Sequence, residues 1–249
     1  MGNFNAEQAI ENITTWIRKY FEENASPTTK AVIGIYGGND SSVASALCVR
    51  ALGKERVIGV LMPQGEQADI EFSKLLVKTL DIQNYIINIG ESVNSFMTEI
   101  RKHIEPSGQA IVNTPARIRM TTLYAVAATV GGRVVNTCNL SEDWVGNSTR
   151  YGDSAGDFSP LSELTVTEVK LVGKAAGLPA EFIDKVPSDG LCGKSDEDNL
   201  GFSYEVLDRY IRTGEIEDAV VKEKIDRLYE KNLFKLQLMP KFTEEQNEL

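Results

Sequence analysis

One stretch of this chain suits close approach to an anion: Gly34-Ile35-Tyr36-Gly37-Gly38-Asn39-Asp40-Ser41, which follows an apolar run and opens a helical pattern. Glycines let a backbone turn tightly and come near a ligand, and the helix behind them offers N–H groups to negative charge. In outline this is a phosphate cradle. A tight strand-to-helix turn with Asp40 as the helix cap would read the same way, so the segment alone leaves both open. No GxxxxGK[ST] loop occurs, although Ser188-Asp-Gly-Leu-Cys-Gly-Lys-Ser195 comes near it, and no GxGxxG is present. That weighs against a Walker loop and a dinucleotide fingerprint. A second carboxylate, Glu142, stands in Asn136-Thr-Cys-Asn-Leu-Ser-Glu142 behind a later apolar run. Two acids facing one crevice suit a magnesium ion that carries a triphosphate. Such an ion answers an electrostatic problem, because 26 Lys+Arg against 36 Asp+Glu give a formal charge of −10 that repels a polyanion. Simple helix capping by both acids is the alternative, and their joint position across a crevice favours the metal.

Other chemistries find little support. The one histidine, His103, lies in the polar stretch RKHIEPSG, with no serine or cysteine motif to use it as a base. Cys48, Cys138 and Cys192 are far apart and lack CxxC spacing, so they read as buried or neutral thiols rather than a zinc site or disulfide framework. The acidic balance argues against nucleic-acid binding. No apolar run approaches the roughly 20 residues that span a bilayer, and the acidic N-terminal stretch does not resemble a signal peptide. The expectation is a cytoplasmic protein with no membrane or nucleic-acid partner.

The elements that must position these residues alternate. AVIGIY (31–36), RVIGVLM (56–62), NYIINI (84–89) and RVVNT (133–137) are short, branched and nearly continuously apolar, as strands buried on both faces of a parallel sheet are. Helical patterns fall at about 41–52, 68–80, 92–104 and 114–131, the last capped by Asn113 with Pro115 in its first turn. Ahead of them, Ala6, Ile10, Ile13, Ile17, Tyr20 and Phe21 recur at helical spacing behind Asn5. The expected fold is α/β, a doubly wound parallel sheet of about five strands with a helical C-terminal portion. Residues 138–165 read as a long functional loop, and Thr165-Val-Thr-Glu168 as a capping box. A second loop (186–199) precedes helices at about 203–213 and 216–235. The expected organisation is one domain over 1–249: an N-terminal helix (about 6–23), an α/β core (about 31–177), C-terminal loop and helices (about 178–242), and an acidic tail (243–249).

Several blocks stand in the order and spacing of one family: Gly37-Gly38-Asn39-Asp40-Ser41, Asn113-Thr-Pro-Ala-Arg117-Ile-Arg119-Met-Thr-Thr-Leu-Tyr124, Asn139-Leu-Ser-Glu142, Tyr151-Gly-Asp153, Asp157-Phe-Ser-Pro160, Thr167-Glu-Val169, Pro187-Ser188 and Asp196 through Tyr204. From about residue 8 to 242 the chain resembles the ammonia-dependent NAD synthetases of the N-type ATP pyrophosphatase group, whose sheet is of the adenine nucleotide alpha hydrolase type. The resemblance implies ATP-dependent adenylation of the nicotinate carboxylate of deamido-NAD. Ammonia then displaces AMP, without a covalent protein nucleophile. It implies a homodimer, with ATP, deamido-NAD and ammonia as substrates and Mg²⁺ as cofactor. Because the first core strand starts near residue 31, an N-terminal glutaminase domain is not expected. Two alternatives are a relative that adenylates another carboxylate and a weakened homologue that acts as a nucleotide-binding regulator.

Position by position, the resemblance implies that Gly34, Ile35, Tyr36, Gly37, Gly38, Asn39, Asp40 and Ser41 form the pyrophosphate loop. Asp40 and Glu142 would hold Mg²⁺, Met62, Thr137 and Ser188 would contact ATP, and Arg117, Arg150, Asp157 and Lys235 would contact deamido-NAD. Asp153 would lie where ammonia enters. The chain departs from the family pattern at several ligand positions. Tyr36 replaces a serine, Asn39 an apolar residue, Leu140 and Val166 lysines, and Phe234 a histidine, while Arg150 stands for lysine. The expectation is that Tyr36 blocks the cradle or shifts ATP, and that Val166 removes a cation from the phosphates.

Overall fold

Alternating burial along the short apolar runs explains the architecture. β1 (Lys30–Ile35), β2 (Val57–Leu61), β3 (Gln83–Ile86) and β4 (Gly132–Val135) form a parallel sheet in the order β3-β2-β1-β4. The computed structural model describes residues 4–66, 70–184 and 196–242. In β1, Ala31, Ile33 and Ile35 enter one apolar cluster while Val32 enters a second on the opposite face. The same alternation continues in β2, with Val57 and Leu61 on the first side and Ile58 and Val60 on the other. Full burial of each such side chain contributes roughly 1.5–3 kcal/mol, which holds both faces of the sheet covered.

Helices supply the two covering layers. α1 (Ala6–Asn24), α2 (Asn39–Leu52), α3 (Ile70–Thr79), α7 (Val166–Ala175) and α8 (Ala180–Ile183) pack on the first face, through Ile17, Leu47, Leu76, Val169 and Phe182 among others. α4 (Gly90–Arg101) and α5 (Gly108–Val130) pack on the second through Val93, Met97, Met120 and Leu123. A third cluster joins α6 (Leu140–Val145) and the start of α7 to α10 (Tyr204–Thr213) and α11 (Ala219–Asn232), with α9 (Asp196–Leu200) leading into it. β1, β2 and β3 progress toward one edge, and the chain then crosses through α4 and α5 to place β4 on the other side of β1. Winding therefore reverses between β1 and β4, and the C-terminal ends of those strands border the crevice where α/β sheets hold ligands.

Several expectations need correction. The described residues contain four strands, not about five. Beyond β4, Phe158 makes only an isolated parallel bridge to Val135. β3 is exposed throughout, an open edge strand and not a buried one, whereas β4 at the other edge is covered by the segment at Asp157 and Phe158. α5 begins at Gly108 behind a Ser107 cap, so Pro115 lies inside the helix rather than in its first turn, costing one ladder hydrogen bond. The 138–165 stretch contains the short α6. Asn5 caps α1, and the Thr165–Glu168 capping box opens α7. Ser188, Cys192 and the acidic tail lie outside the described residues.

Candidate active site

The turn after β1 is formed by Tyr36, Gly37 and Gly38, and Gly37 has φ +72, a left-handed conformation that favours glycine. Gly38, not Asp40, is the residue at the cap of α2, which starts at Asn39. Asp40 is thus inside the first turn, where a carboxylate is favoured by the helix dipole. The Ser42 hydroxyl donates to the Gly38 carbonyl at 2.7 Å and the Ser41 hydroxyl to the same oxygen at 3.3 Å. Asn39 is 5% exposed, and its Oδ1 has no hydrogen-bond partner among the described residues.

Across the crevice, β4 runs into Asn136, Thr137, Cys138 and Asn139. Asn139 caps α6: its Oδ1 accepts the Glu142 backbone N–H at 3.0 Å, and its own N–H points to Glu142 Oε2 at 3.5 Å. Its Nδ2 donates to Asp40 Oδ1 at 3.0 Å. One fully buried amide therefore joins the two acids that are 102 positions apart in sequence numbering, one after β1 and one after β4. Among the described residues no cluster of three or more His, Cys, Asp or Glu groups forms a metal cage. Two hard carboxylate oxygens still fit Mg²⁺, which ordinarily takes one or two carboxylates and completes its octahedron with phosphate and water.

The Tyr36 ring lies over Gly34, within the predicted loop. Its ring folds back along β1, so that a Cβ on Gly34 would come within 2.8 Å of the phenol oxygen. Arg119 stands 5.8 Å from the ring centroid, and its Nε donates to the Met62 carbonyl at 3.2 Å. Burial pushes the phenol well above its ordinary range, Arg119 opposes that shift, and nearby Asp153 and Cys138 add to it. Val166 is 4% exposed within the third apolar cluster, at the first position of α7. A lysine there would have to leave that cluster to meet a phosphate.

The other predicted residues assemble on a rim formed by the loop after α6, the start of α5 and the segment after α11. Arg117 donates from Nε to the Arg150 carbonyl at 3.3 Å, joining α5 to the loop. The Arg150 guanidinium lies 5.1 Å from the Tyr151 ring centroid and 5.4 Å from that of Phe234, and donates to the Gln237 carbonyl at 3.5 Å. Lys235 donates to the carbonyls of Gly146 and Ser148 at 2.7 and 3.0 Å. Asn232 adds a bond to the Val145 carbonyl at 3.1 Å. The fit at Gly146 is so close that a Cβ there would collide with Asn232 at 2.0 Å. Asp157 and Lys235 share a cavity of about 250 Å³ with Asn136, Asp143, Ser159 and Ser162. The Asp157 carboxylate accepts the Val134 N–H at 2.7 Å and the Tyr124 hydroxyl at 3.4 Å, so it also closes the outer edge of β4.

Three carboxyl, amide or thiol groups behind that rim were not expected to matter. Asn136 donates to the carbonyls of Asp153 and Ala155 at 2.8 and 3.1 Å and fixes the loop over the strand end. Asp143 is pushed up to about 6, chiefly by burial. A Ser148 hydrogen bond opposes the shift, Asp153 reinforces it, and Lys235 counters it weakly. Asp153 is also raised by burial, against the stabilising N–H of Thr149 at 2.9 Å and the charge of Lys235. Burial lowers Lys235 despite these acids. The Cys138 thiol donates to the Asp153 carbonyl at 3.3 Å and is pushed well above its ordinary value by burial, while Cys48 is pushed up to about 12. Neither thiol is a ready nucleophile.

A parallel, doubly wound sheet with a glycine turn and two acids at its reversal point defines a class: α/β proteins that bind ligands at strand C-termini. The sequence pattern of the NAD synthase family matches residues 9–245, and the chain belongs to that family. An NH(3)-dependent NAD(+) synthetase of Thermococcus kodakarensis is 40% identical over 204 residues, covering 82% of this chain and 79% of that protein. Among solved structures, an NMN synthetase from Francisella tularensis is 29% identical with a TM-score of 0.87, covering 96% of this chain and 100% of that one. An NH3-dependent NAD synthetase from Campylobacter jejuni is also 29% identical, with a TM-score of 0.78 over 97% and 100%. No helix among the described residues is long and apolar enough to cross a membrane.

Proposed function

We propose that this chain amidates deamido-NAD to NAD, using ATP and ammonia. The observation that carries the reading is the single buried amide of Asn139 joining Asp40 to the helix that bears Glu142 at the β1/β4 reversal point. A nicotinate carboxylate oxygen attacks the α-phosphorus of ATP, pyrophosphate leaves, and an acyl adenylate forms. Ammonia then attacks the acyl carbon, loses a proton, and AMP departs. Adenylation is needed because a carboxylate is a poor electrophile.

The residues divide this work. Gly34 through Ser41 and the N-terminus of α2 cradle the pyrophosphate. Asp40 and Glu142 hold Mg²⁺, which when bound neutralises charge on the phosphate oxygens. The Met62 backbone and Thr137 contact the adenosine portion, as does Ser188. Arg117, Arg150, Asp157 and Lys235 orient the acceptor. Asp153, half-buried and near the charge of Lys235, is suited to take the proton that the attacking nitrogen releases. The protein works in the cytoplasm as a homodimer, and the exposed Ile111, Val112 and Tyr124 of α5 are the candidate contact.

A second reading is favoured by the TM-score of 0.87 to the Francisella NMN synthetase. In it the acceptor is the nicotinate mononucleotide, and the chemistry is unchanged. One assay tests both. The protein is incubated with ATP, Mg²⁺, ammonium and either acceptor, and AMP, pyrophosphate and the amidated product are followed against a Glu142→Ala control. NAD formed with the higher kcat/KM supports the first reading, and NMN the second. AMP release with neither acceptor overturns both.

A further inference from the structure

We propose that Asn139 is a positioning residue that sets the separation and orientation of Asp40 and Glu142 before a divalent cation arrives. The inference rests on the reading of those two acids as the metal pair. Two carboxylates that are to share one cation repel each other before it arrives, so a group between them must hold them. A lysine could do so, but its charge would compete with the metal. A neutral amide holds them without that competition.

The orientation of the Asn139 amide follows from its neighbours. Its oxygen must face the Glu142 backbone N–H, a donor, at 3.0 Å, and this directs Nδ2 at Asp40 Oδ1, an acceptor, at 3.0 Å. The residue itself is 0% exposed. The Asn139 backbone N–H closes the arrangement on Glu142 Oε2. Asn139 thus engages one oxygen of each acid. α6 cannot easily yield if this link is cut. The Ser141 hydroxyl donates to the buried Asp208 at 2.5 Å and accepts the Val166 N–H at 3.1 Å. Loss of the amide is therefore felt at the Asp40 side chain and not as movement of α6.

Capping and positioning separate in one substitution. In Asn139→Ser, the hydroxyl still accepts the Glu142 N–H, so α6 keeps its cap and Tm stays within about 2 °C of the parent. The Nδ2 bond to Asp40 Oδ1 is then lost. Mn²⁺ binding, followed by electron paramagnetic resonance in the presence of a non-hydrolysable ATP analogue, is expected to weaken by about 10–100-fold, as is usual when an outer partner of a metal ligand is removed. Excess Mn²⁺ should recover turnover, and KM for the acceptor should not change. Asn139→Thr repeats the test if the serine variant fails to fold. Unchanged Mn²⁺ affinity in the capped variant, with affinity lost in Asp40→Ala and Glu142→Ala, overturns the positioning role and leaves Asn139 as a cap. Unchanged affinity in all the variants overturns the metal reading itself, and the proposal with it.

Discussion

The two ends of the crevice are built in opposite ways. At the glycine turn, buried neutral groups do the holding: Asn139 joins Asp40 to the α6 cap, and serine hydroxyls bond back to Gly38. At the acceptor rim, charged side chains are held by backbone carbonyls and aromatic faces, with Lys235 on Gly146 and Ser148 and Arg150 between Tyr151 and Phe234. In the proposed reading, the first arrangement would present carboxylates to a cation, and the second would keep cations near the surface, where an anionic substrate could displace weak contacts. Departures from the family pattern also sort by region. Tyr36 and Val166 turn into apolar clusters, whereas Arg150 and Phe234 meet on the rim, with the guanidinium 5.4 Å from the ring centroid.

The largest effect that would sharpen this contrast is expected from Glu142→Gln. It keeps the shape of the cradle but removes the charge, and kcat/KM should fall on the order of 10²–10³-fold, measured as product formed at saturating Mg²⁺. Retained activity would break the division between the ends. Val166→Lys should follow, costing about 2–4 kcal/mol of stability in urea unfolding because it places a cation in an apolar cluster. Tighter ATP binding by that variant would show that α7 turns its first residue toward the phosphates. Lys235→Met removes two charge-assisted bonds to the loop, and about a tenfold rise in acceptor KM with little change in ATP KM is expected.

Asp153 gives a pH test. Its native carboxyl titrates above the ordinary range, so the folded state favours the protonated form. The resulting stabilisation is fully present below the unfolded carboxyl pKa and is lost as pH rises through the raised native value. Asp153→Asn should therefore hold its Tm better than the parent between acid and neutral pH, while turnover falls. Phe234→Ala is expected to be the smallest change, about 0.5–1 kcal/mol in acceptor affinity, since it removes one exposed cation–π contact.

Much of this was legible before any coordinates. β1, β2 and β4 are announced by branched residues, because a strand buried on both faces must be apolar at every position. The same rule misjudged Asn84 through Ile89, since a run of that composition also serves as an edge strand, and nothing local states which edge remains open. Pro115 suggested a helix start because proline is common there, while Ser107 is the true cap, six residues earlier than Asn113. Asp40 and Glu142 could be paired from their places behind two strands. Arg119 and Asn139 stand inside the family blocks without a role assigned to them, and Asn136 lies outside those blocks, since amides and arginines are common on surfaces and only tertiary contacts show what these three hold. The direction of Tyr36 was equally hidden, because the vacancy above Gly34 exists only once the strand is formed.

The clasp of Asn232, Lys235 and Gln237 on the end of α6 and the loop that follows it has a consequence for biosynthesis. A nascent polypeptide emerges in order, so residues 34–42 and 139–153 leave the ribosome long before their fastener. Until that stretch is free, the acceptor side of the crevice has no lock, and the half-made protein should consume no ATP.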